Sequence, residues 1–124
     1  MKIFIIDDNR INNFICENII KQLQPDAEIT CFENGVNAES QLIEYQNDIS
    51  LVLLDLNMPL VDGWDLLEKL KERNIKLFIV ILTSSINIDD RERAMKFENV
   101  KGFITKPATF EKIEEQLILT KSRD

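Results

Sequence analysis

The chain alternates short, continuous apolar runs with stretches whose apolar residues recur every three or four positions. Lys2–Ile6, Leu51–Leu54 and Leu77–Leu82 are runs of the first kind. Bounded by polar and turn residues, they predict strands buried on both faces. Ala27–Phe32 is weaker and mixed, suited to a sheet edge, and Lys101–Ile104 predicts a short fifth strand. Helical patterns fill the intervals. Ile11, Phe14, Ile15, Ile19 and Leu23 form the apolar stripe of a first helix, with Asn9 as its cap and Pro25 beyond its end. Ala38, Leu42 and Tyr45 mark a second helix after Asn34-Gly35. Gly63 to Arg73 predicts a third, burying Leu66, Leu67 and Leu70, with Trp64 a further candidate. Asp89–Phe97 is weakly patterned and charge-rich, and carries Ala94, Met95 and Phe97. A last helix begins near Thr109 and buries Phe110, Ile113 and Leu117, leaving Lys121–Asp124 as a polar tail expected to fray.

Strand and helix therefore alternate five times, without a linker, repeat or low-complexity segment. Such alternation predicts a parallel sheet with helices on both faces. Five strands point to the flavodoxin-like, doubly wound α/β fold in the order 2-1-3-4-5.

Composition narrows the function more than the fold. The 124 residues fit one domain, 1–124, with no room for an output domain. A net charge of -7, from 22 acids and 15 bases, argues against direct nucleic-acid binding, which needs basic surface. No histidine occurs, which removes Ser-His-Asp and Cys-His catalysis and His-containing zinc sites. Cys16 and Cys31 have neither disulfide-scaffold nor metal-motif spacing and read as small buried residues. No apolar segment reaches the roughly 18 residues of a membrane span, and Ile3–Ile6 is too short for a signal peptide, so a cytoplasmic location is expected.

The chemistry gathers where the strands end. The first ends in Asp7-Asp8, the third in Asp55, the fourth in Thr83, and Lys106 lies just beyond the fifth. Each alone reads as a loop acid, a capping hydroxyl or a surface lysine. In the order 2-1-3-4-5 they meet in one cleft at the carboxyl edge, where open α/β sheets bind ligands. Clustered carboxylates repel unless a cation relieves them, and a hard ion with oxygen ligands, Mg²⁺ (or Mn²⁺), suits such a site. Asp55 is then a candidate nucleophile toward a phosphoryl group, with Lys106 countering charge on the transferring oxygens and Thr83 donating a hydrogen bond.

Read together, I-I-D-D at 5–8, L-L-D-L-N-M-P-L-V-D-G at 53–63, L-T-S at 82–84 and G-F-I-T-K-P at 102–107 resemble the receiver domain of two-component response regulators. The resemblance covers essentially the whole chain. It implies Asp55 as phosphoacceptor and Asp7 and Asp8 as the acidic pair serving Mg²⁺. Asp8 and Asp55 would ligate through side chains and Asn57 through its backbone carbonyl. Thr83 becomes the switch hydroxyl, Lys106 its ion-pairing partner, and Phe103 the aromatic switch residue. Asn57 and Ser85 flank the phosphoryl group and tune its lifetime, and a cis peptide is expected before Pro107. The resemblance further implies a stand-alone switch, not an enzyme with an outside substrate. Its phosphoryl donor would be a histidine kinase or histidine phosphotransfer protein. Its output surface would comprise the fourth helix, fifth strand and last helix, acting on a protein partner or relaying phosphate.

Three other readings compete. A haloacid-dehalogenase-like phosphatase uses similar groups, but places an acid two residues after its nucleophile, where this chain has Asn57. A flavin or nucleotide module on the same fold lacks its Gly-rich signature here, since the only glycines are Gly35, Gly63 and Gly102. A phosphate-independent interaction domain would bind its partner equally well without Asp55.

Overall fold

A computed structural model describes residues 1–84 and 87–121. Five strands and five helices follow one another as β1 (Lys2–Ile6), α1 (Arg10–Leu23), β2 (Glu28–Phe32), α2 (Gly35–Glu44), β3 (Ile49–Asp55), α3 (Gly63–Glu72), β4 (Ile79–Thr83), α4 (Ile88–Met95), β5 (Val100–Thr105) and α5 (Phe110–Lys121). The strands form one parallel sheet in the order β2-β1-β3-β4-β5, as the alternation predicts. No helix among the described residues is long and apolar enough to cross a membrane.

The apolar runs work because both sheet faces are covered. Phe4, Ile6, Val52, Leu54, Ile79 and Ile81 point to one side, where α2 and α3 bring Ala38, Leu42, Leu66, Leu67 and Leu70. Ile3, Ile5, Leu51, Leu53, Val80 and Leu82 point to the other, against Cys16, Ile20, Ile113 and Leu117 of α1 and α5. Residues two apart along each strand thus share a face, and every central strand must be apolar throughout. Capping holds the helix starts. Asn9, Asn34 and Asn87 cap α1, α2 and α4, and Asp62 and Asp65 close a capping box on α3.

Several expectations need correction. Of the stripe read for α1, Ile19 and Leu23 pack partly buried against the core, but its first part lies on the outer face. Ile11 is 70% exposed and Phe14 69%, and Ile15 is also exposed, while Asn13, Cys16 and Ile20 are buried. Phe110 opens α5 from an exposed position, although Ile113 and Leu117 are buried as expected. Strand β4 begins at Ile79; Leu77 and Phe78 are buried just before it, where the Asn99 side chain accepts from the Leu77 N–H and donates to the Ile75 carbonyl. Cys31 lies exposed on the edge strand rather than buried. Although the residue is exposed, the partial covering of its sulfur, with the Glu17 carboxylate 3.5 Å away adding to the effect, raises the Cys31 thiol to about 12, and burial raises Cys16 to about 11. Both stay protonated near neutrality and are poor nucleophiles.

Candidate functional site

At the carboxyl edge of the sheet, Asp7 follows β1, Asp55 ends β3, Thr83 ends β4 and Lys106 follows β5. Strand register brings them level: Asp55 pairs with Leu82, and Thr83 with Thr105. The Lys106 N–H donates to the Thr83 carbonyl at 2.8 Å, extending the ladder one step beyond the strands. A cis peptide joins Lys106 to Pro107, as the resemblance implies.

The ammonium of Lys106 lies 2.8 Å from Asp7 Oδ2 and 3.5 Å from Asp55 Oδ2. Asp7 is fully buried, and Asp55 and Thr83 are buried too, whereas Asp8 is open to solvent. The Lys106 ammonium, 2.8 Å away, is what compensates the buried Asp7 Oδ2. Burial first, and the charge of Asp7 second, push the Asp55 carboxyl up to about 6, against the pull of Lys106 and the Asn57 N–H. Burial would lower Lys106, but Asp7 and Asp55 outweigh it and hold the ammonium above its ordinary range. Each group is thus shifted in the direction expected of too many acids around one base.

The donor set fits a hard divalent cation. One carboxylate oxygen from each of Asp7, Asp8 and Asp55 lies within 4.8 Å of the others, and one of these residues faces solvent while two are buried. Such a ring of oxygens, with access for water, is what Mg²⁺ requires. Asn57 is exposed beside it, its N–H donating to Asp55 Oδ1 at 3.2 Å. Phe103 is half-buried on β5 and shares with Thr83 a cavity of about 290 Å³, also lined by Leu56, Ile88, Arg91 and Thr105. Ser85 lies outside the described residues.

Some positioning residues were not foreseen. The buried Asn13 amide donates to the Asp7 carbonyl at 2.9 Å, and the Asn9 N–H donates to Asp7 Oδ1 at 2.9 Å, so the acidic turn is held from α1. Lys112 donates to the carbonyls of Thr105 and Pro107, on either side of Lys106. Apolar periodicity carries no signal for Asn13, because a polar residue on a buried face reads as a break in the stripe.

Comparison with known proteins matches residues 3–118 to the family of response regulator receiver domains. The sensor histidine kinase RcsC of Escherichia coli (strain K12) is 27% identical over the whole chain, which spans 13% of that protein. The two-component response regulator ARR17 of Arabidopsis thaliana is 29% identical, the match covering 93% of this chain and 81% of that protein. Among solved structures, a two-component response regulator from Cytophaga hutchinsonii superposes with a TM-score of 0.84 at 25% identity, covering 98% of this chain and 97% of that one.

Proposed function

The chain belongs to the response regulator receiver family, and from that premise we propose that it is a signalling switch phosphorylated on Asp55. The observation that carries this reading is the Asp55 carboxylate itself, buried at a strand end and 3.5 Å from the Lys106 ammonium, within an acid cluster. A carboxylate oxygen of Asp55 attacks phosphorus in a phosphohistidine of the donor protein. The new O–P bond forms as the P–N bond breaks, and the imidazole leaves with the electron pair. Mg²⁺ (or Mn²⁺), held by Asp7, Asp8, Asp55 and the Asn57 carbonyl, would supply positive charge to the phosphoryl oxygens.

The remaining work belongs to the chain. Lys106 stands ready to pair with a phosphoryl oxygen, and Thr83 to donate its hydroxyl to another. Phosphorylation adds close to two negative charges, drawing both groups inward. The cavity shared by Thr83 and Phe103 leaves room for the ring to follow. The output surface is α4, β5 and α5, through which the switch engages a protein partner or passes its phosphate on. Asn57 and Ser85 set how long the acyl phosphate survives.

Intact mass tests the acceptor. With acetyl phosphate and Mg²⁺ the protein should gain one phosphoryl group, lost on chelation and absent from Asp55→Asn. Failure to form the adduct or to bind beryllofluoride would sink the reading.

The exposed stripe on α1 suits the donor. Ile11, Phe14 and Ile15 follow directly on the acidic turn, and Ile15 borders a groove with Lys106 and Pro107. A helical donor with a matching apolar face would bury this stripe while presenting its phosphohistidine to Asp55. Phe14→Asp should slow transfer from whichever phosphorylated histidine phosphotransfer domain serves the wild type best. The expected drop is at least tenfold, about what losing an aromatic anchor costs an interface. Phosphorylation by acetyl phosphate should not change. Equal slowing with both donors would show damage to the site instead.

A further inference from the structure

Helix α4 is tied to the domain by cations over aromatic rings. Of its residues Ile88–Met95, only Ala94 is buried. Its Arg93 guanidinium sits 4.0 Å from the ring centroid of Trp64 on α3. Its Arg91 guanidinium sits 5.3 Å from the ring of Phe103 on β5. Just past the helix, the Lys71 ammonium lies 5.9 Å from the ring of Phe97. Cations over aromatic faces are attracted by the ring quadrupole. With so little apolar burial, these contacts add to the packing of Ala94 and Phe97 in holding α4 in place.

The two arginines do not hold equivalent partners. Trp64 follows Gly63, whose N–H donates to the Leu56 carbonyl at 3.0 Å, so its ring stands on a helix start pinned to the end of β3. Phe103 instead lines the cavity that also holds Thr83 and Arg91. A ring that turns into that cavity leaves the guanidinium above it.

Resting on the receiver reading, we propose that Arg91 is a positioning residue that latches the switch in its resting arrangement, while Arg93 on Trp64 is the pivot about which α4 moves. Activation breaks the Arg91–Phe103 contact at the first half of α4. The Arg93–Trp64 contact persists in both arrangements, with Ala94 packed beside it. A contact made only at rest opposes activation by its own strength, and one made in both states does not shift the equilibrium.

Calorimetric titration with beryllofluoride in Mg²⁺ tests this on the full chain. Arg91→Gln should bind beryllofluoride about two- to fivefold more tightly than the wild type, the range set by an exposed cation–aromatic contact. Arg91→Lys, which keeps a cation, should restore most of the wild-type affinity. Arg93→Gln should leave the affinity unchanged but shift the emission of Trp64, the sole tryptophan. Tightening is not what a merely destabilising substitution produces. Unchanged or weaker binding by Arg91→Gln overturns the latch, and tightening by Arg93→Gln equal to that of Arg91→Gln overturns the pivot. A wild type that takes up no beryllofluoride would instead refute the proposed phosphoacceptor switch at Asp55 beneath both.

Discussion

Lys106→Ala is expected to lower the stability of the metal-free protein by about 3 kcal/mol at pH 7, the lower end of what breaking a buried ion pair costs. The ammonium stands between two buried carboxylates, 2.8 Å from Asp7 and 3.5 Å from Asp55. Removing it leaves both acids to repel each other with little solvent to screen them. The deficit should depend on pH in a definite direction. Asp55 is raised from 3.8 to about 6, so its proton binds more tightly in the folded chain than in the unfolded one. Its contribution to stability is therefore complete below about pH 4 and is lost as the pH rises through about 6. Loss of Lys106 moves that upper limit higher still. At pH 5 Asp55 is mostly protonated, only the pairing with Asp7 is missing, and the deficit should fall to roughly half. Saturating Mg²⁺ at pH 7 should recover a similar part, since binding to the folded state alone stabilises it. Urea unfolding at pH 5 and pH 7, with and without Mg²⁺, measures all of this. A deficit equal under every condition would assign Lys106 to packing of the β5–α5 turn.

The same electrostatics explain why the site was legible in the residues. Parallel strands must be apolar along their whole length, so the first polar residue after each run marks the carboxyl edge of the sheet. Asp7, Asp55 and Thr83 announce themselves in this way, and topology alone then brings them together. The faces of the helices were harder to assign. On α1, Ile11–Phe14–Ile15 and Cys16–Ile20 form two stripes at helical spacing, nearly half a turn apart, and periodicity weighs them alike. What decides between them is Asn13, buried because its amide satisfies the Asp7 carbonyl. No count of apolar positions includes that bond. Thr120 is a buried polar residue on α5 for a comparable local reason, its hydroxyl donating to the Gln116 backbone carbonyl at 2.8 Å. Helix α4 was weakly patterned because it buries almost nothing, and the rings beneath Arg91 and Arg93 lie far away in sequence.

Gly63→Ala should cost more than its small size suggests, because the helix start it occupies is pressed against the strand that carries Asp55. A Cβ at this position would lie 2.5 Å from the Asp55 carbonyl oxygen and 2.7 Å from the Leu56 Cα, both backbone atoms that cannot rotate away. Either α3 moves outward or the end of β3 yields. Overpacking of this kind costs roughly 1–3 kcal/mol. The upper part of that range applies here, even against the better helix propensity of alanine, worth up to about 1 kcal/mol. Gly102→Ala is the control. Its Cβ would meet the Gln116 side-chain amide at 2.6 Å, and the end of a flexible side chain can shift. Urea unfolding should therefore show about 2–3 kcal/mol lost for Gly63→Ala and under about 1 kcal/mol for Gly102→Ala. The first variant should also acquire its phosphoryl group from acetyl phosphate several-fold more slowly, because a displaced strand end carries Asp55 away from Lys106 and the acid pair. Equal losses for the two glycines would mean that α3 retreats freely, and that its contact with β3 does not hold the acceptor in place.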